Sequence, residues 1–141
     1  MKNDNIKKTF RDMSLGMSSN FGRIVTEKHI NLFSEVSGDK NPLHLDEDFA
    51  KKTIFEGRIA HGMLTASHIS AAIVNFAGPG WIYINQSLKF RSPVRIGDRV
   101  DTYLEVDKLI PEKFLVQLST VCSVDKTIII EGSATIKSPV N

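Results

Sequence analysis

Between Ser37 and Asp46 the chain reads Ser-Gly-Asp-Lys-Asn-Pro-Leu-His-Leu-Asp, bringing a carboxylate (Asp39), an amide (Asn41) and an imidazole (His44) into one short stretch. Gly38, Asn41 and Pro42 favour turns. Pro42 also stiffens the segment, so that it can fold back and let Asp39 and His44 converge. Imidazole titrates near neutral pH, and a partly buried carboxylate can be tuned toward the same range. Such a pair can take a proton from water and deliver one to carbon, which is what adding water across a C=C bond requires. Acid–base help of this kind is worth roughly 10²–10⁴-fold. The bland alternative is an ordinary turn followed by a helix cap at Asp46.

A second candidate is Ala60-His61-Gly62-Met63, at the start of an expected helix. Free N–H groups there, with the helix dipole, favour a developing negative charge. Gly62 would let a substrate approach the backbone closely. Attack at C3 of a 2-enoyl thioester builds charge on the thioester oxygen, and one well-placed donor is typically worth about 2.7–4 kcal/mol. The alternative is that Gly62 merely permits tight helix entry and His61 caps or packs. His29, in line with an apolar helix face, is expected to pack at the core edge, and His68 to be a surface or core histidine. With one cysteine and no His-Glu-x-x-His spacing, no metal site is expected.

These groups need elements to hold them. Phe21 to Val25 reads as a short strand, and Thr26 as the N-cap of a helix to about Val36, with Ile30, Phe33 and Val36 on its apolar face. Asp46 could cap a short helix carrying Phe49 and Ala50. Met63 to Ala77 is apolar nearly all round, the mark of a buried helix. Thr65, His68 and Asn75 form the stripe expected to meet water or a loop, whereas Ser70 points toward Met63, Ala66 and Ala77 and would need a hydrogen-bond partner. Gly78-Pro79-Gly80 ends that helix.

The second half reads as four strands: Trp81 to Phe90; a strand with Val100, Thr102, Leu104 and Val106 alternating against polar neighbours; Phe114 to Val124; and Thr127 to Ile136, with a tight turn at Asp125-Lys126. A buried helix before long antiparallel strands predicts an α+β fold, a sheet wrapped round one helix. Its edge strands make dimerisation an expectation. Cys122 falls on a strand and is read as a small core or half-buried residue.

A chain of 141 residues with 41% hydrophobic and 24% charged content is the size and make-up of one globular domain, spanning 1–141 with 1–12 expected to be flexible. The formal charge of +2 comes from scattered cations, which argues against a nucleic-acid footprint. A single cysteine fits a reducing compartment. No apolar run reaches membrane-spanning length, and Met1 to Arg11 lacks a secretory core, so a cytoplasmic protein is expected.

The stretch 37–44, followed by His61-Gly62-Met63-Leu64, resembles the hydratase motif of MaoC-like (R)-specific enoyl-CoA hydratases. The likeness continues through Gln86 to Phe90 and Pro93 to Asp98, and covers the chain from about Thr26 onward. It implies a hot-dog fold, usually dimeric, hydrating trans-2-enoyl-CoA to (R)-3-hydroxyacyl-CoA without metal or redox cofactor. Position by position it implies that Asp39 and His44 activate water, that Asn41 shapes their loop, and that the Gly62 N–H receives the thioester oxygen. Ser70 would correspond to a helix hydroxyl bonded to the aspartate. Lys89, Arg91 and Arg95 could meet the phosphates of CoA or of a carrier-protein arm, although a solvated strand edge explains them equally well. Phe55, Ile69, Ile73 and Trp81 are candidates for the acyl pocket. Rival readings are a 3-hydroxyacyl dehydratase acting on acyl carrier protein, a hot-dog thioesterase, and an acyl-CoA-binding module.

Overall fold

The computed structural model describes residues 7–139. Its centre is built by period-two alternation along Arg99–Ile110 (β4), where Val100, Thr102, Leu104 and Val106 are buried between more exposed neighbours. Strands β1 (Ser18–Ile24), β2 (Ile82–Gln86), β3 (Lys89–Phe90), β5 (Leu115–Val124) and β6 (Thr127–Lys137) join it in one sheet, ordered β1-β4-β5-β6-β2, with β3 also on β6. All pairings are antiparallel. The expected tight turn joins β5 to β6: Asp125 and Lys126 take φ of 47° and 71°, the mirror-image geometry that matches strand twist. Cys122 is fully buried beside Thr102.

The single strand expected over Trp81 to Phe90 is two strands. At the break the Ser87 N–H donates to Ser133 O at 2.8 Å, and Ser87 Oγ accepts from Ser133 N at 3.0 Å. Ser87 O lies so close to Gly132 that a Cβ there would sit 1.8 Å from it.

Helix α1 (Glu27–Ser37) starts as read: Thr26 Oγ1 accepts from His29 N at 3.2 Å, and His29 Nδ1 accepts from Thr26 N at 3.3 Å. His29 is therefore half of a capping box. Val36, expected on the apolar face, is 85% exposed, and Ser34 is buried instead, its hydroxyl tied to Asp39 O. Two single-turn helices follow, α2 (Pro42–Leu45) and α3 (Glu47–Ala50). Asn41 and Asp46 cap them, Asn41 Oδ1 accepting from Leu43 N and Asp46 Oδ1 from Phe49 N.

Helix α4 (Gly62–Ala77) packs on β1, β4 and β5, giving the sheet-on-one-helix arrangement expected. Its facing is not the one expected. Leu64, Thr65, His68, Ile69, Ala72, Ile73, Phe76 and Ala77 are buried, whereas Met63, Ser67, Ser70, Ala71 and Val74 face outward. Apolar residues on every side gave the periodicity no preferred direction, so burial of two polar residues was decided by packing rather than residue type. Within the stretch expected to be flexible, Lys8 and Phe10 make contacts with the rest of the chain. Trp81 Nε1 donates to Lys8 O at 3.0 Å, Phe10 N to Ser138 Oγ at 2.8 Å, and Phe10 packs edge-on against Phe114. The rest of that stretch, 1–6, lies outside the described residues.

Candidate active site

The 38–46 segment folds back on itself for local reasons. Gly38 closes α1 in the left-handed region at φ 79°, its N–H on Ser34 O. Asp39 Oδ1 then accepts the Asn41 N–H at 3.1 Å, and Asn41 in turn caps the turn begun by Pro42. One helical turn later His44 points inward and is buried, while Asp39 stays exposed at the rim. His44 Nδ1 is 2.8 Å from the Ile59 carbonyl. A carbonyl only accepts, so Nδ1 carries the proton and Nε2 keeps the lone pair for chemistry.

Asp39, His44 and His61 each offer a ligand-type atom within 4.8 Å of the other two, so the pair read from the sequence does converge. His61, expected only to cap or pack, makes no capping bond to α4. Its Nε2 is 3.1 Å from Asp39 O, and its ring stacks on His44 with centroids 4.0 Å apart and planes inclined 32°. Burial is the main cause of its lowered pKa, and the neighbouring His44 adds to the lowering. His44 Nδ1 is engaged by the Ile59 carbonyl and His61 Nε2 by the Asp39 carbonyl, so one nitrogen of each ring is already taken.

The three open onto a cavity of about 430 Å³, lined also by Phe55, Ile59, Gly62, Thr65, Phe90 and Pro93 among others. Its wall is mostly apolar, as an acyl chain would need. Because His61 turns away from the helix end, the Gly62 N–H, at the first position of α4, donates to no partner among the described residues. Gly62 lines the same cavity as Asp39 and His44. A Cβ on Gly62 would stand 2.7 Å from the Phe90 ring, so any other residue here would have to displace that ring. Thr65 Oγ1 and His61 Nδ1 are buried without hydrogen-bond partners among the described residues.

Other expected residues fall elsewhere. Ser70 is exposed on the outer face of α4 and makes no bond to Asp39; the Asp39 carbonyl takes its hydroxyl from Ser34, at 2.8 Å. Arg95 is not turned outward toward a phosphate: its guanidinium donates to the carbonyls of Phe55, Gly57 and Arg58. Arg91 lines the cavity but is paired with Glu131. Lys89 is exposed, with no salt-bridge partner among the described residues. Of the pocket candidates, Phe55 lines the cavity, whereas Ile69 and Ile73 are core residues and Trp81 packs against the core with its Nε1–H on Lys8 O. His68 lies in a second groove with Arg23 and His29, and burial takes its pKa down to about 4.

The family described as MaoC like domain matches residues 13–124. The chain belongs to the MaoC-like family. Among MaoC-like relatives, it is 47% identical to the (R)-specific enoyl-CoA hydratase of Rhodospirillum rubrum, over 92% of this chain and 91% of that protein. It is 43% identical to a 3-hydroxybutyryl-CoA dehydratase of Methylorubrum extorquens, over 92% and 83% of the two chains. In structure it is similar to the unliganded R-hydratase of Pseudomonas aeruginosa, with a TM-score of 0.89 and 37% identity over 96% of this chain and 88% of that one. It is also similar to the Aeromonas caviae R-hydratase, with a TM-score of 0.88 and 35% identity over 92% and 99% of the two chains. The α+β hot-dog arrangement is thus that of MaoC-like hydratases.

Proposed function

We propose that the protein is an (R)-specific enoyl-CoA hydratase, adding water reversibly to a trans-2-enoyl-CoA to form the (R)-3-hydroxyacyl-CoA. The observation that carries this reading is the meeting of Asp39 and His44 at a cavity that Gly62 also lines, its N–H without a partner among the described residues. A water held between the Asp39 carboxylate and His44 Nε2 would lose a proton to the pair as its oxygen bonds to C3. The C2=C3 electrons shift toward the thioester, and the oxygen that gains charge rests on the Gly62 N–H and the α4 dipole. The pair then delivers one proton to C2, so the substrate gains H and OH and the site returns to its starting state.

Asn41 supports this indirectly by fixing the Asp39 loop. The relatives named above support the substrate class and the stereochemistry. No metal or redox step is invoked. Dehydration of carrier-linked 3-hydroxyacyl groups is the second reading. It is favoured by the exposed Lys89 at the end of the strand that carries Phe90 to the cavity. Cytoplasmic location and assembly as a homodimer belong to the same proposal.

The test is crotonyl-CoA hydration, followed by loss of the conjugated absorbance, with chiral analysis of the product. Asp39→Asn and His44→Ala should each lower kcat by about 10²–10⁴-fold with melting temperatures near that of the parent. Near-normal turnover in either would remove the assignment. Faster turnover of carrier-linked than CoA-linked substrate would favour the second reading.

A further inference from the structure

His61 is 2% exposed, and nothing about its surroundings calls for an imidazole on packing grounds. The ring packs against His44 and also meets Phe33, with centroids 4.9 Å apart and planes at 59°. An apolar ring would fill that slot without stranding a polar atom. The imidazole does strand one, since Nδ1 is buried with no partner among the described residues, and such a group in a native fold requires an explanation. What the imidazole adds is at Nε2, 3.1 Å from Asp39 O. Because that oxygen only accepts, Nε2 must carry the proton, which leaves Nδ1 as the idle lone pair.

The Asp39 carbonyl also receives the Ser34 hydroxyl at 2.8 Å, so donors from α1 and from the start of α4 occupy it together. Among the described residues, the Asp39 carboxylate itself is held only by the Asn41 N–H. Its direction therefore depends on how firmly its main chain is held.

We infer that His61 is a positioning residue for the Asp39/His44 pair: its Nε2–H holds the Asp39 backbone while its ring braces His44, setting the two groups at the spacing one water can bridge. Burial lowers the pKa of His61 and the nearby His44 lowers it further, against the raising effect of its bond to the Asp39 carbonyl. The inference rests on the hydratase reading above. A displacement of about an ångström in such a pair can cost on the order of 100-fold in rate, so the effect belongs in kcat rather than KM.

The experiment compares His61→Phe, which keeps the stack and loses the donor, with His61→Gln, whose amide N–H reaches the Nε2 position. Asp39→Asn and His44→Ala serve as controls. With crotonyl-CoA, His61→Phe should lower kcat by about 10- to 100-fold while KM stays nearly constant, and His61→Gln should recover most of the loss. Ser34→Ala combined with His61→Phe should be non-additive, because both act on one carbonyl. Nitrogen-15 correlation spectra of the unmutated protein should show His61 as the Nε2–H tautomer, a reading that does not depend on any variant folding. A kcat for His61→Phe close to the parent's, a change confined to KM, equal loss in the Phe and Gln variants, or an Nδ1–H tautomer would each overturn the inference. If the two controls keep their turnover, it is the hydratase reading that fails; if they are inactive and His61→Phe is not, only the role of His61 falls.

Discussion

At the scale of single residues, Gly62 shows how little space separates a working approach from a blocked one. A methyl group at this position would meet the Phe90 ring at 2.7 Å, and that ring, 53% exposed, can swing aside at modest cost. Gly62→Ala should therefore fold and melt within a few degrees of the parent. Its kcat/KM should nevertheless fall by about 10- to 100-fold, because the reacting carbon can no longer sit correctly. Stopped activity assays alongside thermal melts check both halves.

His68 makes a different prediction. Burial, with Arg23 and His29 nearby, holds its pKa at about 4, below the 6.5 of an unfolded chain. Between those values the unfolded chain binds the extra proton. The contribution of His68 to stability is thus complete above about pH 6.5 and is lost as the pH falls through 4. His61, also lowered, acts in the same direction. His68→Leu should lose fewer degrees of Tm between pH 7 and pH 4.5 than the parent does. Equal losses would remove this account.

At the scale of elements, legibility followed the strength of local signals. Thr26 and Asp46 cap the helices they were expected to cap, and β4 alternates as written, because each depends on chemistry within a few residues. Asp39 and His44 could be singled out for the same reason. Helix α2 is a single turn, too short to show any period, although it is what turns His44 inward. The facing of α4 was lost because a helix apolar on all sides points nowhere in particular. His61 was visible as a residue but not in its role, since nothing in the sequence says that Asp39 O lies beside it. Arg95 could not be assigned from its type alone, because a guanidinium can hold carbonyls as readily as phosphates. Its donors brace the 55–58 loop, where Arg58 in turn donates to His44 O at 2.7 Å. Arg95→Ala should lower stability by about 1–3 kcal/mol, read as several degrees of Tm. Lys89→Ala should leave Tm unchanged. A rise in KM for CoA substrates with unchanged Tm in Arg95→Ala would restore the phosphate-binding expectation.

At the scale of the whole molecule, β2 is one outer strand of the sheet, with Ile82, Tyr83 and Ile84 all exposed, and α4 turns Met63 and Val74 outward. Open edges of this kind invite pairing with another chain. Light scattering during gel filtration should return twice the 15.7 kDa chain mass. Ile82→Lys combined with Ile84→Lys should shift the peak toward the monomer. A monomeric parent would refute the dimer.

The break between β2 and β3 ties the sheet to the cavity. Ser87 O rests on the bare Cα of Gly132, and a few residues further on the chain delivers Phe90 and Pro93 to the cavity wall. Any side chain at 132 would act as a wedge between two ribbons of backbone, prising the wall away from Asp39 and His44. A defect with the kinetic signature of a damaged active centre could therefore originate at a residue that touches no reacting group, hidden in what looks like ordinary strand.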